Sequence, residues 1–116
     1  DLPHGECNAI LLPHVEKFNL IAKVERFSKM AELMGENISG LSPRAAAELA
    51  LSAIRQLSSD VGIPAGLVEL GKRYGKDVKA EDIGTMTKNA QKDACGLTNP
   101  RCPTDKDVAA IYTAAL

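Results

Sequence analysis

The sequence predicts an all-α domain, and three of its features point there. Aromatic residues are 3% of the 116, Trp is absent and alanine is abundant, a composition suited to close helix packing rather than to a pleated sheet. The long periodic segments repeat their apolar residues at three-and-four spacing, and no alternating β-branched run competes with them. Each ends on its own stop signal. A chain of this length makes one domain and can bury roughly two-thirds of its unfolded surface without disulfide or metal staples. Residues 1–116 are therefore expected to form a single helical, bundle-like unit, with no repeat or low-complexity tract.

The first segment opens at Pro3 and sets Cys7, Ile10, Leu11, Val15 and Phe18 at helical spacing. Pro13 interrupts it, and because proline cannot donate to the preceding turn, a kink or break near Ala9 is expected. A second helix, from about Ala22 to Met34, turns Val24, Phe27, Ala31 and Met34 inward and stops at Gly35. The third has the most regular pattern. From Ala46, the residues Leu49, Ala50, Ala53, Ile54, Leu57 and Val61 line one face, opposite Arg44, Glu48, Arg55 and Ser59. Ser42 caps its start, Pro43 takes the first position, where a missing N–H costs nothing, and Gly62 and Pro64 end it.

Ile63 to Gly75 carries three glycines and reads as a loop, with at most a helical turn around Leu67 to Leu70. The next helix spans about Ala80 to Ala94 on Ile83, Met86, Ala90 and Ala94, with Glu81 and Asp82 suiting the dipole at its start and Gly96 as its stop. The last begins at Thr104, which forms a capping box with Asp107, and continues through Val108, Ile111 and Tyr112.

Composition also narrows the function. With 14 Lys+Arg against 15 Asp+Glu, interspersed, the chain lacks the basic stripe that phosphate backbones demand, so nucleic acid is not an expected partner. Apolar runs such as Ala9 to Leu12 are far short of the roughly 18 residues that span a bilayer, and no leader-like segment opens the sequence. Neither export nor membrane insertion is expected. Cys7, Cys95 and Cys102 form an odd set with no CxxC pair, which argues for reduced cytoplasmic thiols rather than disulfides or a zinc knuckle. The Asn37-Ile38-Ser39 glycosylation pattern then reads as coincidence.

Few residues offer chemistry. Gly66 to Lys72 has the glycine and lysine spacing of a phosphate loop, but Arg73 stands where a Ser or Thr should hold magnesium and no strand precedes it. A structural loop with Leu67 and Leu70 buried is the better reading. His4 and His14 are the two imidazoles. On one continuous helix they lie roughly 15 Å and about 80° apart, so they cannot share a metal. Taken alone, His4 reads as a cap or surface residue as readily as a ligand, and His14 as packed or solvated. Cys7 reads as a small apolar residue in helix packing. No nucleophilic constellation can be assembled from these residues.

Three ordered motifs carry more. Leu2-Pro3-His4-Gly5-Glu6-Cys7-Asn8-Ala9-Ile10-Leu11-Leu12-Pro13-His14-Val15, followed by Asn19, resembles a stretch of the iron-dependent (group III) alcohol dehydrogenases. Asp60-Val61-Gly62-Ile63-Pro64 and Asp93-Ala94-Cys95-Gly96-Leu97-Thr98-Asn99-Pro100-Arg101 resemble later segments, in the same order. The resemblance runs end to end and is nearest to the 1,3-propanediol dehydrogenase and lactaldehyde reductase branch.

It implies a C-terminal helical domain of the dehydroquinate synthase-like fold, with a nucleotide-binding α/β domain preceding it that binds NAD or NADP. It further implies iron, or zinc in its place, held by one aspartate and three histidines, the last of which is His4. The metal would act as a Lewis acid on the oxygen of a small alcohol or aldehyde. Cys95 would line the substrate pocket, a buried inert thiol being the alternative. Glu6 departs from the small apolar residue expected there, which clouds the choice of substrate. As one part of a homo-oligomeric oxidoreductase, the chain by itself is expected to be inactive and to hold no cofactor tightly. The alternative is a free-standing helical interaction module that keeps the fold without the chemistry.

Overall fold

Where the sequence writes a cap, a helix begins. In the computed structural model, which describes residues Asp1–Leu116, the Ser42 side chain accepts from the Ala45 N–H and a helix runs over Pro43–Asp60. The Thr104 side chain accepts from the Asp107 N–H while the Asp107 carboxylate accepts from the Thr104 N–H, and a helix follows over Asp105–Ala115. The full order is α1 (His4–Leu20), α2 (Val24–Leu33), α3 (Pro43–Asp60), α4 (Leu67–Arg73), α5 (Ile83–Gln91) and α6 (Asp105–Ala115). Short 3₁₀ segments at Ala80–Asp82 and Ala94–Thr98 flank α5, and there is no strand. The all-α expectation holds.

α1 does not break. It runs for 17 residues straight through Pro13, although that residue cannot donate to the Ala9 carbonyl. Tertiary packing outweighs the missing bond, because the two halves of α1 are anchored in different cores. Ile10 packs with Leu67, Leu70 and Ala115, and Leu20 packs with Phe27, Ala31, Ala47, Ala50 and Leu51. Pro13 itself is buried between them.

The second of those cores joins α2 to α3, and it is built on alanine. Ala31, Ala47 and Ala50 are fully buried, so the two backbones approach closely around Phe27. The buried face of α3 is Ala46, Ala47, Ala50, Leu51 and Ile54, rotated from the expected one. Leu57 and Val61, expected inward, are 56% and 66% exposed. The lengths explain this: α2 has 10 residues and α3 has 18, about 15 Å against about 27 Å, so the last turns of α3 outrun their neighbour. Met34 is likewise exposed, because α2 closes at Leu33 before that position can turn inward.

Two further expectations are corrected. Leu67–Arg73 is a two-turn helix rather than a loop with one turn, because Leu67 and Leu70 are pulled into the core with Ile10. The helix expected over Ala80 to Ala94 ends at Gln91, five residues before Gly96. Asp93 stops it: its carboxylate accepts from the Cys95 N–H at 2.8 Å and starts the 3₁₀ segment, leaving Ala94 exposed. No helix is long and apolar enough to cross a membrane.

Candidate metal and substrate site

The site is organised by one face of α1. His4, Cys7, Leu11, Val15 and Phe18 follow one another at three-and-four spacing, which puts them within about 80° of azimuth. His4 heads the row. It is the first residue of the helix, exposed, with its Nε2 3.0 Å from the Asn8 side-chain amide one turn on. Cys7 comes next, lining a cavity of about 720 Å³ with Leu2, Leu67, Val78 and Met86. Burial, followed by the neighbouring Glu6 charge, pushes the Cys7 thiol up, so it stays protonated and behaves as a small apolar group. It packs against the cluster of Ile10, Leu67, Leu70 and Ala115, in line with its reading as a small apolar residue in helix packing.

Leu11 and Tyr112 line that cavity and also a second one of about 410 Å³. The second lies between α1 and α6 and is mostly apolar: Val15 and Phe18 from α1, Val108 and Ile111 from α6, and Leu97 and Cys95 from the segment after α5. The structure therefore brings Cys95 to the same side of α1 as His4, joined through the Leu11 and Tyr112 pair. Cys95 is exposed at the mouth of the cavity, so within this chain it is not the buried thiol of the alternative reading. The hydrogen bond and charge of Asp93 hold its thiol above the usual range, while the Cys95 N–H holds the Asp93 carboxyl below its own. A protonated thiol can line a pocket and donate weakly; it is a poor nucleophile.

A polar tie holds this segment against α1. Asn19 is buried near the end of the helix, and its side chain exchanges two hydrogen bonds with that of Asn99, at 2.9 and 2.8 Å. The Asn99 amide also donates to the Arg101 carbonyl. The Arg101 guanidinium donates to the Phe18 carbonyl at 2.7 Å and lies 3.9 Å over the Phe18 ring. Sequence reasoning places Asn19, Asn99 and Arg101 in the family-like motifs without giving them a role. Pairing across 80 positions leaves no local signal.

His14 is elsewhere. It lines a polar cavity of about 460 Å³ with Arg55, Ser58, Ser59, Glu69 and Arg73, at the edge of the α1 face formed by Ala9, Ile10 and Pro13. Burial first, and then Arg55 and Lys17, lower its pKa. Glu6 also faces away from the row, accepting a 2.7 Å hydrogen bond from the Tyr74 hydroxyl beyond α4, so the departure at this position does not reach the cavity beside Cys95. No three His, Cys, Asp or Glu side chains come close enough to enclose a metal within this chain. The resemblance of Gly66 to Lys72 to a phosphate loop dissolves. The Val68 N–H at the start of α4 already donates to the Leu116 carbonyl, and Gly71 is buried against the Lys76 carbonyl.

An all-helical layer with a mostly apolar cavity between α1 and α6 is not a nucleotide-binding α/β unit. Consistent with that, residues 1–116 match the model for the C-terminal part of the Fe-containing alcohol dehydrogenase family, to which the chain therefore belongs. It is 50% identical to an NAD-dependent methanol dehydrogenase of Bacillus methanolicus, over 99% of this chain and 29% of that protein. It is also 50% identical to a 1,3-propanediol dehydrogenase of Klebsiella pneumoniae, over 99% of this chain and 28% of that one. The crystal structure of a 1,3-propanediol oxidoreductase superposes with a TM-score of 0.93 at 49% identity, covering 100% of this chain and 29% of that chain. The chain thus spans under a third of the length of these relatives. The family is iron-containing, and the Bacillus methanolicus relative is NAD-dependent; zinc in place of iron has no support among these relatives.

Proposed function

We propose that this chain forms the C-terminal helical part of a cytoplasmic, NAD(P)-dependent alcohol dehydrogenase that interconverts a small alcohol or diol and its aldehyde. In this reading it acts together with a nucleotide-binding domain that supplies the dinucleotide site and the remaining metal ligands. The complete enzyme assembles as a homo-oligomer. The observation that supports the reading is the α1 row: His4 lies on the side of the helix that, two to four turns further on, lines the cavity Cys95 borders. An exposed imidazole at a helix start fits a divalent iron as one ligand among several, and borderline metals accept such a donor readily. One histidine cannot enclose the metal, so a ligand set shared between domains is required. When bound, iron supplies Lewis acidity toward the substrate oxygen.

The residues of this chain do the rest of the work described here. His4 would offer its Nε2 lone pair to the metal with the ring proton on Nδ1, in place of the Asn8 amide that meets that nitrogen here. Leu11, Val15, Phe18, Leu97 and Ile111 surround the hydrocarbon part of the substrate and exclude water. Cys95, kept protonated beside Asp93, closes one side of the cleft without competing for the metal.

The test compares two histidines in the complete protein. His4→Ala should remove one ligand bond and lower iron affinity by more than the roughly 10- to 100-fold typical of changes to groups that only support a ligand. His14→Ala should leave the iron content intact. Equal losses in the two variants would overturn the assignment. In the 116-residue chain alone, stoichiometric iron surviving dialysis against a chelator would do the same.

A further inference from the structure

The tie between α1 and the segment after α5 has a consequence for the cleft. A buried amide is costly unless its donors and acceptor are met, and Asn19, 2% exposed, meets them with a side chain 80 residues away. On the other side of Asn99 lies a segment with little else to fix it. Ala94 to Thr98 is exposed throughout, and Leu97 is 87% exposed. Its internal bonds are local turns, such as Gly96 N–H to Asp93 O at 3.1 Å and Asn99 N–H to Gly96 O at 3.2 Å. Such turns fix the shape of the segment, not its distance from α1. That distance is set by the Asn19–Asn99 pair and by Arg101, which grips the Phe18 carbonyl and ring.

We infer that Asn19, Asn99 and Arg101 are positioning residues: they clamp the Cys95–Leu97 wall at a fixed distance from α1 and so set the width of the apolar cleft. The inference rests on the reading above only in taking that cleft as the place where substrate binds. Two reciprocal amide bonds hold both side chains in one orientation, which a hydrophobic contact would not do. Phe18 takes part twice, its carbonyl and ring held by Arg101 while its side chain lines the cleft, so loosening the clamp moves both walls.

The experiment uses the complete protein and reads amide hydrogen exchange together with kinetics. Asn99→Ala should speed exchange at the Cys95, Gly96 and Asn99 amides by roughly 10- to 100-fold, the loss expected for the two bonds to Asn19 and the one to the Arg101 carbonyl. The Lys76 amide in the turn after α4 should be unaffected. KM for the alcohol should rise several-fold while kcat and iron content stay close to the parent. Asn19→Ala should do the same, and the double variant should add little. Asn99→Asp serves where truncation prevents folding. Its ionised carboxylate has no donor for the Asn19 oxygen, whereas its protonated form can both donate to and accept from Asn19. Exchange relative to the parent should therefore be fast at neutral pH and approach the parent's at a pH of about 4, near the ordinary carboxyl pKa. Unchanged exchange in Asn99→Ala, or an Asn99→Asp effect that ignores pH, would overturn the clamp. Faster exchange with KM unmoved would leave the clamp standing and remove the substrate reading of the cleft.

Discussion

Alanine at Gly71 should destabilise the chain, and alanine at Gly84 should stabilise it, although both positions are helical. A Cβ at Gly71 would lie 2.7 Å from the Lys76 carbonyl oxygen and 2.9 Å from Val78 Cγ2. The side chain could swing away, but the carbonyl belongs to the turn that closes α4, where the Lys76 N–H donates back to the Gly71 carbonyl at 2.8 Å. Relieving the clash means moving that turn by about half an ångström, and overpacking of this kind costs about 1–3 kcal/mol. A backbone oxygen at 2.7 Å puts the cost in the upper part of that range, and the helix-propensity gain of alanine over glycine returns at most about 1 kcal/mol, so a net loss of about 1–2 kcal/mol remains. At Gly84 nothing lies within 4 Å of the new methyl group, so only the gain is felt, a few tenths to about 1 kcal/mol. For a chain of this size the first change should lower Tm by about 5–10 °C and the second raise it by a few degrees. Thermal and urea unfolding followed by circular dichroism would show this, with the urea slope unchanged if the native packing alone is affected. A Gly71→Ala protein as stable as the parent would refute the close-packing account and reopen the question of why a glycine stands there.

Thiol titration of the native chain, each rate divided by that of the same cysteine in denaturant, should label Cys102 and Cys95 quickly and half-buried Cys7 slowly. Because Asp93 holds the Cys95 thiol up, Asp93→Asn should speed Cys95 at neutral pH and leave Cys102 alone; protection of Cys95 equal to that of Cys7 would remove it from the cleft. His14 gives a pH dependence. Its folded pKa lies below its unfolded value, so the unfolded chain binds more protons and stability falls as the pH drops through the unfolded value of about 6.5. His14→Gln should flatten that acid slope, and an unchanged slope would show that the burial and neighbouring cations of His14 do not matter.

The boundaries of α3 and α6 were legible in the sequence because a cap is a local object. Ser42 with Pro43, and Thr104 with Asp107, satisfy N–H groups within three residues of themselves, and no distant neighbour is needed to read them. The family was legible too, through three ordered motifs. The separation of His4 from His14 follows from helix geometry once α1 is continuous, but its continuity was decided elsewhere. Pro13 favours a break, and the helix survives because Ile10 and Leu20 sit in two cores supplied by other segments. The buried side of α3 was also settled by a partner, since a periodic pattern shows that a face exists and the length of α2 shows how much of it is covered. The end of α5 turned on the Asp93 side chain competing for a backbone N–H, a contest that apolar spacing does not register. The meeting of Cys95 with the His4 row, and the Asn19–Asn99 pair beneath it, join residues about 80 positions apart. Only the folded chain brings such residues together, because the helices between them set the approach and no local rule encodes it.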